Sequence, residues 1–460
     1  MLEKTHFHFT GVCGTAMGAV AAAMRRRGFT VTGSDTNVYP PMSDFLRGEG
    51  ITIAEGYREE NIPAGADVVV IGNAISRGNP EAEAALDRKL LYHSLPEVMK
   101  EHFLRGKRNF VVSGTHGKTT TSSMLAWLFR NAGRDPGFMI GGLPKNLGCG
   151  AHFPDSEINV LEGDEYDTAF FDKRSKFLHY LPECVVVNNI EFDHADIYNN
   201  VEEIKLSFKR LLNIVPRNGM AFVNGDEKNC LDVTEKAPCP VTSVGLGEGN
   251  TLRITDVKYD EDSSSFSLGG EHYTVPMTGE FNVRNAAMAT AAASFGGLTP
   301  DEIRAGLLAF GGVARRQELK GEKNGIKVID DFAHHPTAIR LAVQSIRQKY
   351  PDSRLWILFE PRSNTTRRAV FQKELAESLA LADFAVVAAI PDLHKIPEND
   401  RLDPIRLSAD IAAMGGKGYY LADNAAIIAA VKAEVKPSDV VAVLSNGGFG
   451  GIHQQLLAEL

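Results

Sequence analysis

Residues 111–129 read VVSGTHGKTTTSSMLAWLF. An apolar run ends in glycine, a glycine–lysine–threonine follows, and an amphipathic stretch begins at once. A strand therefore hands directly to a helix, and the two lie side by side on an α/β sheet. The turn between them is an anion site, because backbone N–H groups and the helix N-terminus point at one spot. Lys118 would neutralise the outer phosphates of a nucleotide, and the Thr119 hydroxyl suits Mg2+. Gly114, Thr115, His116, Gly117 and Thr120 complete the candidate cradle. The usual phosphate loop reads G-x-x-x-x-G-K-[ST]. Here Val112 stands at the first glycine position, so the loop is shorter or less sharply folded. A plain strand-to-helix turn containing glycine is the bland alternative.

The same alternation recurs on both sides of this stretch. HFHFTGV, FTVTGSD and DVVVIGN read as strands, with a helix over AMGAVAAAMRRRG that Gly28 closes. A basic stretch, FLRGKRN, has the composition of a linker. After the loop, INVLEGDE and ECVVVNNIEFDH are buried strands that end in acidic or polar residues, where ligands of open α/β sheets sit. Residues 251–277 alternate and carry turn residues, which predicts antiparallel strands appended to the middle segment. A helix follows over NVRNAAMATAAASFG. Further on, IKVIDDF, RLWILFE, ADFAVVAAI and DVVAVLSN are strands separated by helical patterns. In one of those helices Ile339, Val343 and Ile346 share a face, and Pro336 suits its first turn. The expected fold is α/β in three domains: a Rossmann-like domain over 1–107, a phosphate-loop domain over 108–314 and a doubly wound domain over 315–460.

A chain of 460 residues has room for about three domains. Its net charge of −9 argues against a general nucleic-acid binder, which carries a basic face. Five scattered cysteines without a C-x-x-C pair suggest neither a zinc site nor a disulfide framework. The opening MLEKTHFHFTG lacks the long apolar core of a secretion signal. No uninterrupted apolar run is long enough for a membrane span. The expected setting is the cytoplasm.

Other residues carry chemistry with less specificity. GVCGTAMG, with Gly11, Gly14 and Gly18 and then Asp35, resembles a dinucleotide fingerprint, but Cys13 replaces the glycine that lets a pyrophosphate approach. A dinucleotide, another nucleotide-like ligand and a structural turn all remain open. Glu162, Asp193 and His194 follow strands and could converge on a metal ion, although Mg2+ prefers oxygen ligands and His194 could be a plain loop histidine. Asp331, His334 and His335 stand at a strand end and helix start, where a phosphate or substrate contact suits them better than a metal pair. Arg315 and Arg316 are either a solvated pair or a clamp on a γ-phosphate.

In this order and over nearly the whole chain, these motifs resemble the Mur ligases, the ATP-dependent amide-forming family of peptidoglycan synthesis. GTHGKTT is normal in that family. The resemblance implies three domains that bind a UDP-sugar, ATP and the incoming amino acid or peptide. It assigns Lys118 and Thr119 to the triphosphate and its Mg2+, and Glu162 and His194 to the metal, with Asn189 close by. It sets Asn282 and Asn285 on the adenine side, and makes Arg316 and Asp331 the ATP contacts of the third domain on closure. Gly14, Thr15, Asp35 and Asn73 fall where the family grips UDP, and His335 and Arg362 are candidates for substrate. Lys118, His194 and Arg316 would be the catalytic side chains. Lys205 is nearest to the position of the family's modified lysine.

SDTNVYPPMSD, GNAISRGNP, DEYDTAFFDKRSKF, EFDHADIY, FEPRSNT and SNGGFGGIHQ resemble one branch. That branch joins UDP-N-acetylmuramate to the recycled tripeptide L-alanyl-γ-D-glutamyl-meso-diaminopimelate. The alternative branch adds L-alanine. Lys173, Arg174, Lys176 and Arg362 are the cations available for the tripeptide's carboxylates, Arg362 being favoured by its domain. Rivals of other classes are a nicotinamide-dependent dehydrogenase and a non-enzymatic sugar-nucleotide binder.

Overall fold

Apolar strands followed at once by helices assemble into parallel sheets, and the computed structural model, which describes residues 5–460, holds them in two units. The first four residues of the opening stretch lie outside the described residues. One unit comprises the chain up to Glu191 with Val201–Arg253 and Ala287–Gly306. The other comprises Phe192–Asn200, Ile254–Ala286 and Leu307–Leu460.

The first unit contains two main sheets. Five parallel strands stand in the order Thr52–Glu55, Thr30–Asp35, His6–Thr10, Val68–Ile71, Tyr92–Ser94. The winding reverses between His6–Thr10 and Val68–Ile71, which opens a crevice beyond their carboxyl ends. Val68–Ile71 is buried throughout, as a strand covered on both faces requires.

An eight-stranded sheet follows, with Arg108–Ser113 between Pro182–Val187 and Ile158–Gly163, all three parallel. Helix Lys118–Asn131 buries Leu125, Leu128 and Phe129 over it, and the Phe129 ring meets Phe110 edge-on at 5.2 Å. The linker-like stretch joins the two sheets: Arg105 and Gly106 are exposed between the fully buried Leu104 and Asn109, and Asn109 Nδ2 donates to the Leu104 carbonyl at 2.9 Å. The hairpin of Asp167–Ala169 and Asp172–Ser175 reaches the five-stranded sheet, where Phe171 meets Tyr92 at 4.8 Å.

The second unit is built on six strands ordered Glu318–Lys323, Ile326–Asp331, Val440–Leu444, Leu355–Phe359, Phe384–Ala388, Lys417–Leu421, parallel except for the first pair. Alternation sorts its core. Leu355, Ile357 and Phe359 face helix Pro336–Lys349 through Ile339, Val343 and Ile346, while Trp356 and Leu358 join Ile427, Val431 and Leu456 on the other side. The antiparallel strands expected over 251–277 are Thr255–Tyr259, Ser264–Leu268 and Glu271–Val275. They pack into this unit.

Candidate active site

The loop from Gly114 to Lys118 is shaped by the ends of its neighbouring strands. Gly114 has φ +129°, and a β-carbon there would come within 3.0 Å of the Asn189 backbone nitrogen. The N–H of Thr115 donates to the Asn189 carbonyl at 3.1 Å, and that of His116 to Asn189 Oδ1 at 2.7 Å. Asn188 Nδ2 donates to Thr121 Oγ1 at 3.1 Å. Gly117, at φ +80°, opens helix Lys118–Asn131 with no side-chain cap, so the first helical N–H groups face the loop. This cradle suits phosphate oxygens.

Two glutamates from the next strand end face the loop's polar side chains. Lys118 Nζ lies 2.9 Å from Glu165 Oε2 and donates to the Gly114 carbonyl at 2.6 Å. Burial pushes the Lys118 ammonium down, but the carboxylates of Glu165, Asp164 and Glu162 outweigh burial and hold it above the usual lysine range. Thr119 Oγ1 donates to Glu162 Oε1 at 3.0 Å, and Glu162 Oε2 accepts the Gly141 N–H at 2.7 Å. A hydroxyl and a carboxylate this close form the hard oxygen pair that Mg2+ favours. Glu165, at 1% exposed, was not singled out by the sequence.

The first sheet brings Gly14, Thr15 and Asn73 to its crevice: Gly14 and Thr15 follow His6–Thr10, and Asn73 follows Val68–Ile71. All three are exposed. Asp35 is buried and accepts the N–H groups of Cys13 and Asn37, each at 2.9 Å. The N–H groups of Gly11 and Val12 donate to the Ser34 carbonyl. This turn therefore does not offer the free amides of a dinucleotide fingerprint. Behind it, Glu81 is fully buried and accepts from Thr10 Oγ1 at 2.7 Å, Ser34 Oγ at 2.5 Å and Asn61 Nδ2 at 2.7 Å.

Lys205 Nζ bonds Glu202 and Asp232, each at 2.9 Å, and these bonds raise its ammonium above the ordinary range. Three cations weighed for the tripeptide are held locally: Lys173 by Asp167, Arg174 by Asp172 and Lys176 by Asp164.

The second unit carries the remaining candidates. Asp193 is buried, and its Oδ1 accepts from Thr365 Oγ1 and the His194 N–H, each at 2.7 Å. Burial pushes the Asp193 carboxyl up, but His194, His334, His335 and Thr365 together hold it well below the usual range. His335 caps helix Pro336–Lys349, its Nδ1 accepting the Thr337 N–H, so Nε2 carries the proton and donates to the Phe192 carbonyl at 3.0 Å. His334 Nδ1 lies 3.0 Å from the Phe332 carbonyl. Arg316 lies over the Phe332 ring at 4.8 Å. Asp331 accepts the Gln317 and Ala333 N–H groups, and burial raises its carboxyl against the pull of Arg316. Arg315 instead grips the Ser445 and Gly447 carbonyls. Asn282 and Asn285 are buried on the first turns of helix Glu280–Phe295. Arg362 is half exposed, 3.6 Å from Glu360. Arg367, also unforeseen, is buried, with Nη2 donating to Asn364 Oδ1 at 2.6 Å.

Residues 6–107 match the catalytic domain of the Mur ligase family, residues 112–293 the Mur ligase middle domain and residues 315–447 the Mur ligase glutamate ligase domain. The chain belongs to the Mur ligase family. It is thereby an ATP-dependent ligase that forms a carbon–nitrogen bond. A UDP-N-acetylmuramate–L-alanyl-gamma-D-glutamyl-meso-2,6-diaminoheptandioate ligase of Escherichia coli K12 is 40% identical over 457 residues, covering 98% of this chain and 97% of its own. A murein peptide ligase structure from Psychrobacter arcticus is 36% identical, with a TM-score of 0.73 over 99% of this chain and 98% of its own. A UDP-N-acetylmuramate–L-alanine ligase of Geotalea uraniireducens is 34% identical over 100% of this chain and 98% of its own.

Proposed function

We propose that this Mur ligase joins UDP-N-acetylmuramate to L-alanyl-γ-D-glutamyl-meso-diaminopimelate at the expense of ATP, in peptidoglycan recycling. The observation that carries the reading is the full-length 40% identity to a ligase named for that pair of substrates. The lactyl carboxylate of the sugar attacks the γ-phosphorus, ADP leaves, and an acyl phosphate forms. The peptide's free α-amine then attacks the acyl carbon, phosphate leaves and the amide remains.

Gly114–Thr120 cradle the triphosphate, and Lys118 moves from Glu165 to the transferring phosphoryl group, where positioning and charge neutralisation do most of the work. Mg2+, held by Thr119 and Glu162 with His194 as a further ligand, would neutralise phosphate charge. Arg316 and Asp331 serve ATP, Asn282 and Asn285 the adenine. Gly14, Thr15, Asp35 and Asn73 serve the UDP moiety, with Asp35 acting through the backbone it holds. Arg362 and His335 serve the peptide side. The domain limits 1–107, 108–314 and 315–460 are part of this reading. So is a cytoplasmic setting, supported by five free cysteines and by the lack, among the described residues, of a helix long and apolar enough to cross a membrane.

The test is phosphate release from Mg-ATP and UDP-N-acetylmuramate with the tripeptide or with L-alanine. Turnover that needs the tripeptide is expected. Equal turnover with L-alanine would move the chain to the other branch, and turnover with neither would sink the assignment.

A further inference from the structure

The short segment Phe192–Asn200 lies in the second unit and is fastened there from the loop that follows strand Leu355–Phe359. Thr365, 1% exposed, donates Oγ1 to Asp193 Oδ1 at 2.7 Å and accepts the Ala195 N–H at 3.2 Å. Asn364 Nδ2 reaches Asp196 Oδ2 at 2.8 Å, and the Phe192 carbonyl is held by His335. Between the two residues bonded by Thr365 stands His194, at φ +54°. That is the left-handed region, uncommon for a residue with a β-carbon. Such a conformation persists where its surroundings over-determine it. Here one hydroxyl bonds both flanks of the strained residue, and Asp193 Oδ1 closes the turn on the His194 N–H at 2.7 Å.

We infer that Thr365 is a positioning residue, whose hydroxyl fixes the left-handed turn that presents the His194 imidazole. The inference rests on the metal-side role proposed for His194. A hydroxyl donates to a carboxylate and accepts an amide at the same time. Valine has the same shape and does neither, while serine does both. Groups that orient a metal ligand typically govern metal affinity by roughly 10- to 100-fold.

The experiment compares Thr365→Val, Thr365→Ser and His194→Ala in the full chain. It reads Mn2+ binding in the presence of ADP by water-proton relaxation, the Mg2+ dependence of turnover, KM for UDP-N-acetylmuramate and the melting temperature. Thr365→Val is expected to weaken Mn2+ binding roughly 10-fold, to raise the Mg2+ requirement equally, and to leave KM for the sugar nucleotide alone. Thr365→Ser restores both metal readouts. A Thr365→Val protein that melts lower yet binds Mn2+ as the wild type does overturns the inference and leaves Thr365 a structural cap. A roughly 10-fold loss in Thr365→Ser overturns it too, even where the valine variant does not fold. If His194→Ala itself leaves Mn2+ binding unchanged, the metal-side reading of His194 fails and the inference falls with it. If His194→Ala loses affinity and Thr365→Val does not, the inference alone fails.

Discussion

At Gly11–Thr15 and again at Gly114–Thr119 a parallel strand runs through glycine into a helix whose first residue carries no side-chain cap. The backbone plan is shared and the surroundings are not. In the first turn the N–H groups of Gly11, Val12 and Cys13 are engaged by Ser34 and Asp35 of the adjacent strand. In the second, Asn188 and Asn189 pull the loop onto the neighbouring strand, Gly117 turns left-handed, and Lys118 and Thr119 face Glu165 and Glu162. Each turn also has one buried glutamate nearby. Glu81 is bonded by two hydroxyls, an amide and the His8 imidazole behind the first, and Glu165 by an ammonium beside the second. What a glycine-rich turn can bind is set by the last residues of its neighbouring strands, and the second turn carries an ammonium within the loop-to-helix junction itself.

The largest effect should come from Lys118. Lys118→Ala is expected to lower kcat by roughly 10²–10³-fold, the usual loss when a group that stabilises transition-state charge is removed. It should also cost about 3 kcal/mol of stability, because Glu165 is left buried without its cation. Adding Glu165→Gln should return the melting temperature and leave the activity low. A double variant that recovered ligation would show that the lysine serves only the ion pair. The raised Lys118 pKa has its own signature. Its stabilising share is complete below the ordinary lysine range and disappears as pH climbs through the higher value of the folded state, so the wild type should lose stability across that alkaline range while Lys118→Ala/Glu165→Gln, which lacks the pair, should not.

Glu162 sharpens the contrast on the metal side. Glu162→Gln keeps an acceptor for the Gly141 N–H but removes the charge beside Thr119. The Mg2+ concentration for half-maximal turnover should rise, on the order of 10- to 100-fold. A superimposable metal titration would take Glu162 out of the metal site. A smaller effect is expected at Arg362, on the second unit. Arg362→Ala should lower tripeptide kcat/KM roughly 10-fold, one charge-assisted contact at a half-exposed cation, with the KM values for ATP and UDP-N-acetylmuramate unmoved. Equal losses for all three substrates would point to a folding defect instead.

The apolar strands, the phosphate loop and the face of helix Pro336–Lys349 were legible because each is a local pattern. Glu318–Lys323 and Lys417–Leu421 were not named from the sequence, since both are edge strands whose polar, half-exposed residues give no buried run. Distance along the chain hid more of the site. Glu165 meets Lys118 across 47 positions and Thr365 meets Asp193 across 172, so no spacing rule links either pair. Lys173, Arg174 and Lys176 show a further limit of the sequence: the carboxylates that pair with them lie 6, 2 and 12 positions away, and the cluster of cations gives no sign of this pairing.

The last and smallest effect concerns the first turn. Glu81→Gln replaces one of two acceptor oxygens with an NH2 that cannot accept, so either Asn61, bonded at Oε1, or Thr10 and Ser34, which share Oε2, lose their acceptor, at about 1–2 kcal/mol. Burial alone would raise the Glu81 carboxyl, but bonds from His8, Ser34, Asn61 and Thr10 outweigh it and hold the group below the usual range. A depressed carboxyl adds stability above its unfolded-state value and loses it as pH falls through its folded-state value. The wild type should therefore lose its advantage over Glu81→Gln on acidification, and urea unfolding at neutral pH and below pH 4 measures both limbs. Because Glu81 bonds the residues that shape the turn and not its outer face, kcat should hold. A fall in kcat at unchanged neutral-pH stability would mean that the buried glutamate of the first turn, like that of the second, answers to a ligand, and the contrast between the two turns would be lost.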